Sequence, residues 1–345
     1  MAYTDIDKPS DYFETKLYTG NGGTLNVTGL DFAPNWVWIK SRTSTRVHCL
    51  FDTVRGATKR LQTNEADTEY TTSNSLTGFN SDGFSLGSYN QSNEGSASFA
   101  SWNWKAGTSF TNDASSTGIG SIDSAGSVNT DAGFSIITYT GTGSAGTIAH
   151  GLGVAPKFII NRTISAAKEW DVYYGDPTDY LVLNTTAATV DASDKWNDTA
   201  PTSTVWSVES SSQNNTSGGT CLAYCFAEKQ GYSKFGSYVG NGNADGTFVH
   251  LGFKPAWFML KKTSATDPWL IYDDKRSPIN QAQANLQANS SNAEVTNTVY
   301  LDFLSNGVKF RNTDNDGNLS GGTYIYMAFA SNPFVTSTGI PTPAR

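Results

Sequence analysis

The chain predicts an all-β fold of three tandem, related β-sandwich or jelly-roll units with short loops, and three observations carry that expectation. Composition is the first. The 345 residues include 33 glycines and many Ser, Thr and Asn, with 12% aromatic and only 16% charged residues. Aromatic and β-branched side chains suit pleated surfaces, while Gly and Asn suit turns. The second is that no long window keeps the 3.6-residue apolar period an amphipathic helix needs. The third is a pattern that occurs three times, as an array of related units requires.

The pattern opens at Tyr18-Thr19-Gly20-Asn21-Gly22, passes an apolar stretch and Pro34, and reaches Trp36-Val37-Trp38-Ile39-Lys40. It returns as Tyr139-Thr140-Gly141-Thr142-Gly143, Pro156 and Phe158-Ile159-Ile160, and again as Tyr238-Val239-Gly240-Asn241-Gly242, Pro255 and Trp257-Phe258-Met259-Leu260-Lys261. The tyrosine and the proline shift together, by 121 and 122 residues and then by 99 each. A closing aromatic strand ends every copy: Phe99 to Trp104, Leu222 to Ala227 and Tyr324 to Ala330. The Tyr18–Lys40 stretch reads as a hairpin-like element opening each unit.

Composition sets the boundaries. Residues 1–12 form an N-terminal arm, 13–107 the first sandwich repeat, and 108–131 a flexible Ser/Thr/Gly-rich linker. The second repeat spans 132–230, the third 231–334, and 335–345 form a tail whose Pro341 and Pro343 argue against a core strand. The charged stretch from Asp52 to Tyr70 predicts one helical turn or an ordered loop.

Net charge is −8 with no basic stripe, so nucleic acid is not an expected partner. No apolar run is long enough to span a membrane and the first residues carry no leader pattern, so neither insertion nor signal-directed export is expected. Cys221 and Cys225 lie four apart on one strand, roughly 13 Å, beyond disulfide reach. With Cys49 they read as buried free thiols.

Chemistry-bearing residues do not assemble into a catalytic set. His150 and His250 fall in matching turns, and His48 stands alone on a strand, so no Ser-His-Asp arrangement follows. Glu65, Asp67 and Glu69 would share a strand face, and Asp273 and Asp274 are adjacent, but each reads as solvated surface. The loop Asn312–Gly317 resembles a calcium loop only in its first half, because position twelve is Thr323. No metal, cofactor or catalytic residue is expected. Two features remain as candidates for contact. Trp36, Trp38, Trp102, Trp104, Trp257 and Trp269 are aromatic anchors for either a core or a binding face. Asp52 with Arg55 and Asp273 with Arg276 are loop ion pairs, or polar contacts to a partner, with Tyr173-Tyr174-Gly175 at the matching place in the second repeat.

Several stretches together resemble a repeat domain of unknown function found in tail-fibre-like and other virion structural proteins of tailed phages. They are Asp11-Tyr12-Phe13, Leu17 to Gly22, Trp36 to Lys40, Leu50 to Gly56, Ser81 to Phe84 and Ser101 to Gly107, with Tyr232 to Tyr238, Pro255 to Trp257, Trp269 to Asp273 and Tyr324 to Phe334 in the third repeat. The resemblance implies a concanavalin-like or jelly-roll sandwich and carries no catalytic residues over. It also implies a virion component, assembled in the host cytoplasm, with other tail or capsid proteins and a host-surface glycan or protein as partners. Tail-fibre or receptor-binding adhesion by a homo-oligomer, a trimer first, is the leading expectation. A capsid head-decoration or accessory tail protein comes next, because no coiled-coil shaft precedes the first repeat. A glycan-degrading tailspike is the remote alternative.

Overall fold

The computed structural model describes residues 4–296 and 299–341, and the ends of the predicted arm and tail lie outside these. The chain is mostly β, with 42% of residues in strands and 6% in helix. Three large sheets repeat one strand order. In the first, Phe13–Thr19 pairs with Ser98–Trp104, which pairs with Trp36–Ser41, which pairs with Cys49–Asp52. The second runs Phe134–Thr140, Thr220–Phe226, Phe158–Thr163, Asp171–Tyr173, and the third Ser233–Val239, Thr323–Pro333, Phe253–Lys262, Leu270–Asp273. All these pairings are antiparallel.

The opening stretch is therefore not a hairpin. The closing strand lies between its two strands, because the intervening Leu25–Thr28 leaves to pair with Gly83–Leu86 in a separate small sheet. Gly146–Ala149 with Val205–Val208, and Phe248–His250 with Gly307–Phe310, do the same in the other segments. Each small sheet covers the outer face of its large sheet over a private apolar cluster. Val37, Ile39 and Phe51 meet Val27, Leu76 and Phe84 in the first, for example. Cys49, Cys221 and Cys225 are buried free thiols within these layers.

The sequence motif follows from one close approach. Tyr18, Tyr139 and Tyr238 donate their hydroxyls to the carbonyls of Ser92, Asn214 and Gly317 at 2.6, 2.5 and 2.8 Å. A β-carbon on Gly20, Gly141 or Gly240 would sit 2.2–2.3 Å from the carbonyl oxygen of Glu94, Thr216 or Leu319, so only glycine fits there. The side chains of Asn93, Asn215 and Asn318 then close each turn. Asn93 accepts from the Asn21 amide at 2.9 Å and donates to the carbonyls of Gly23 and Gly87 at 2.7 and 2.8 Å. Asn93→Ala leaves these buried groups unpaired, and a drop of at least ~2 kcal/mol in unfolding free energy is expected from urea titration.

The inner faces of the three large sheets share one core. Trp104, Phe226 and Phe329 hold matching places on the closing strands, as do Trp102, Tyr224 and Met327, and then Ala100, Leu222 and Ile325. Ring contacts cross between segments: Trp104 to Phe329 at 5.6 Å, Phe226 to Phe329 at 6.0 Å, and Trp36 to Tyr224 at 4.4 Å. Hydrogen bonds close the circle in one direction. His48 Nε2 donates to the Gln287 carbonyl at 2.9 Å, Trp269 Nε1 to Val182 at 3.0 Å, and Trp170 Nε1 to Gln62 at 2.7 Å. Main-chain bonds cross the same three seams in the opposite direction, with the amides of Glu294, Glu69 and Thr189 donating to the carbonyls of Arg42, Ile164 and Thr263. The bonded residues hold corresponding register positions, so the segments meet with approximate threefold symmetry.

One expected stretch differs, and in another the structure takes the ordered-loop alternative over the helical turn. Residues 108–131 are not a free linker. Thr108–Asn112 and Ser124–Asn129 form a hairpin that extends the second large sheet, joined through a short helix Ala114–Thr117 capped by Asp113. The Asp52–Tyr70 region holds no helix. It is a run of turns and a two-residue strand, Lys59–Arg60, paired with Tyr70–Thr71.

Candidate functional site

The six tryptophans offered as anchors lie inside the molecule, each at most 1% exposed. None presents a face to an outside ligand, which corrects the binding alternative. The reason is the shared core: the inner face that an isolated sandwich would leave open is covered here by two other sheets. Trp38 also spends its indole N–H on His48 Nδ1 at 2.7 Å, and burial holds that imidazole well below its ordinary pKa.

The loop ion pairs are formed, and they face inward. Arg55 Nε meets Asp52 Oδ2 at 2.6 Å and Arg276 Nε meets Asp273 Oδ2 at 2.5 Å. Each is tied to the neighbouring segment. Tyr224 donates its hydroxyl to Asp52 Oδ2 at 2.8 Å, and Trp102 Nε1 donates to Asp273 Oδ2 at 3.0 Å. Glu69 and Glu294 complete the two clusters, each 3.1 Å from the arginine Nη1. At the third seam Tyr174 stands in the aspartate's place and bonds to Thr189 and to Asp179, the latter at 3.1 Å. These pairs are seam fasteners, not partner contacts.

Lys40, Arg162 and Lys261 also hold matching places, all buried, and donate to main-chain carbonyls. Burial depresses both lysines to about 8. Below that pH both folded and unfolded chains carry the proton, and the folded state bears its full desolvation penalty. As pH rises from 8 toward 10 the unfolded chain binds more protons, so these lysines make stability rise with pH. A gain of roughly 1 kcal/mol per pH unit per lysine is expected in that window. Lys40→Met and Lys261→Met should each flatten the rise, read from urea midpoints at pH 7.5, 8.5 and 9.5.

Other titratable groups lie in separate turns and strands. His150 is buried, accepts from the Leu152 amide at 3.1 Å and is pushed down to about 4 by burial, whereas His250 is exposed. Asp171, buried beside Lys195 at 3.2 Å, is pushed up to about 7 by desolvation. In the 312–317 loop, Asp314 caps the short helix Asn315–Asn318 through the Asp316 amide, and burial followed by Asp267 raises Asp316 to about 7. Among the described residues no group of three or more His, Cys, Asp and Glu is placed to hold a metal ion.

What remains outward is a set of shallow polar grooves, two of them flanking the extra hairpin. One, about 480 Å³, is lined by Tyr12, Lys105, Phe110, Val128, Asn129, Asp131 and Gly151. Its neighbour, about 540 Å³, is lined by Ser109, Thr111, Ser127 and Thr138 together with Asn35 and Thr53. Sequence reasoning missed this region because its Ser/Thr/Gly content resembles a linker. The available signal was Asp113 three residues before Ser116, a helix N-cap, with Gly118 as the stop.

A family model described as Domain of unknown function (DUF7483) matches residues 8–333, a span that includes all three large sheets. No curated protein matches the chain.

Proposed function

We infer that this chain, which belongs to the family of unknown function DUF7483, is a non-enzymatic structural protein of a tailed-phage virion. Its role in this reading is adhesion at the host surface, as a tail-fibre or receptor-binding component. One observation carries it: the three segments close about a single tryptophan-rich core, and the most chemically conspicuous side chains, the anchors and the ion pairs, are consumed in that closure. Such a body offers its surroundings rigid turns and shallow grooves. We read each segment as one β-sandwich unit of jelly-roll type, its private cluster lying between large and small sheets.

The cyclic arrangement favours a second reading, a capsid head-decoration or accessory tail protein, since three near-equivalent edges suit a threefold position on a particle. Cryo-electron microscopy of the virion decides between them. Density on the tail supports adhesion, and density on capsomers replaces it with decoration. Absence from the particle would remove both.

Closure within one chain also bears on the expected homotrimer. The inner faces that three separate chains would bury against each other are already buried, so the purified chain is expected to run as a 37.0 kDa monomer in light scattering. Three times that mass would reinstate the trimer.

A further inference from the structure

The extra hairpin breaks the threefold pattern at one place, and the groove beside it differs in kind from its counterpart. The counterpart lies at the start of the third segment, also about 480 Å³, next to the matching turn His250-Leu251-Gly252. It is lined by Asp5, Glu228, Lys229, Lys234 and His250, with no Phe, Tyr or Trp among its lining residues. The groove beside the hairpin replaces these with Tyr12 and Phe110, one lysine, one aspartate and a set of hydroxyls. We propose that this groove is a saccharide-binding site, taking one or two sugar rings of a host-surface glycan. This rests on the adhesion reading above.

Both rings are partly exposed and fixed from behind. Phe110 lies against Gly151, whose α-carbon carries no side chain where a β-carbon would come within 2.9 Å of the ring. Tyr12 packs edge-on against Tyr232 at 5.9 Å, and its carbonyl accepts from the Lys105 amide at 3.0 Å. A rigid aromatic wall buries the apolar face of a pyranose at small entropic cost. The Asn129 side chain is equally set: it donates to the Lys105 carbonyl at 3.3 Å and accepts from the Ala132 amide at 3.0 Å.

Tyr12, Lys105 and the exposed Asp131 bring polar groups to the groove's lining, with the Lys105 ammonium 5.5 Å from the Tyr12 ring centre. A mixed donor and acceptor set over an aromatic wall matches sugar hydroxyls, which both donate and accept. It does not match a phosphate chain, which would meet Asp131 and a net charge of −8. A purely apolar ligand would leave these polar groups unpaired. The volume lies within the range of small-ligand sites, about 300–1,000 Å³.

The test uses the full chain and defined tri- and tetrasaccharides of hexose, N-acetylhexosamine and uronic acid type, read by saturation-transfer NMR and calorimetry. Tyr12→Ala should weaken binding roughly tenfold, the equivalent of one well-packed ring. Thr130→Trp, at an exposed rim position, should block the groove without touching the core, and covers the case in which Tyr12→Ala fails to fold. Gln230→Trp, which fills the counterpart groove, should leave binding unchanged. No binding of any probe by the unmodified chain, or equal binding by Thr130→Trp, overturns the site. Adhesion to host cells is scored alongside. Adhesion that survives Thr130→Trp sinks the groove and leaves the adhesion reading standing. Oligosaccharide binding without adhesion keeps the groove and sinks that reading.

Discussion

Trp104→Ala is expected to lower the unfolding free energy by roughly 3–5 kcal/mol, the usual range for emptying a buried indole site. The whole chain is expected to shift with it in one cooperative transition. Trp104 is 1% exposed and touches rings of two segments: Phe13 at 4.8 Å and Trp36 at 4.3 Å in its own, Trp257 at 5.8 Å and Phe329 at 5.6 Å in the third. Phe329 in turn meets Phe226 of the second. A void at Trp104 therefore loosens contacts that belong to all three large sheets. Differential scanning calorimetry separates this from three independently folding domains. Independent domains would give successive transitions of which only one moved. A single peak, displaced as a whole and retaining its calorimetric-to-van't Hoff ratio, is the expected result.

The parts of this architecture that were legible in the sequence are those dictated by local geometry. Gly20, Gly141 and Gly240 recur because a carbonyl approaches within 2.3 Å of where a side chain would begin, and their tyrosines recur because the same turn needs a hydroxyl donor. Asp52 with Arg55 and Asp273 with Arg276 were legible from a three-residue spacing that returns at one place in the repeat. The destination of the tryptophan faces was not. Trp36 and Trp38 alternate with Val37 and Ile39, so both faces of that strand are apolar, which announces double burial without naming the second layer. That layer comes from the other segments, and Tyr224 and Trp102 likewise reach the two aspartates from other segments. The hairpin at 108–129 was illegible for a different reason. It sits at a sheet edge, and only Phe110, Ile122 and Val128 of its side chains pack toward an apolar cluster. An edge strand that needs little apolar surface has the composition of a loop.

Arg276→Met provides the second large effect, through charge in place of volume. Both side chains of the Asp273–Arg276 pair are fully buried. Besides Asp273, the guanidinium contacts Glu294 at 3.1 Å and donates to the Ile271 carbonyl at 2.8 Å, with its carbon 5.6 Å from the Trp102 ring centre. Methionine fills much of the stem and provides none of the donors. Asp273 would keep bonds from the Arg276-position amide, at 2.8 Å in the native chain, and from Trp102, yet lose its counter-charge in a dry seam. Removing one member of a buried pair costs about 3–5 kcal/mol, far above the ~0–1 kcal/mol of a surface bridge. Asp273→Asn combined with Arg276→Met should recover part of that loss, because an amide oxygen still accepts from the backbone while the stranded charge is gone. A loss that the double variant does not reduce would mean that packing rather than charge holds this seam.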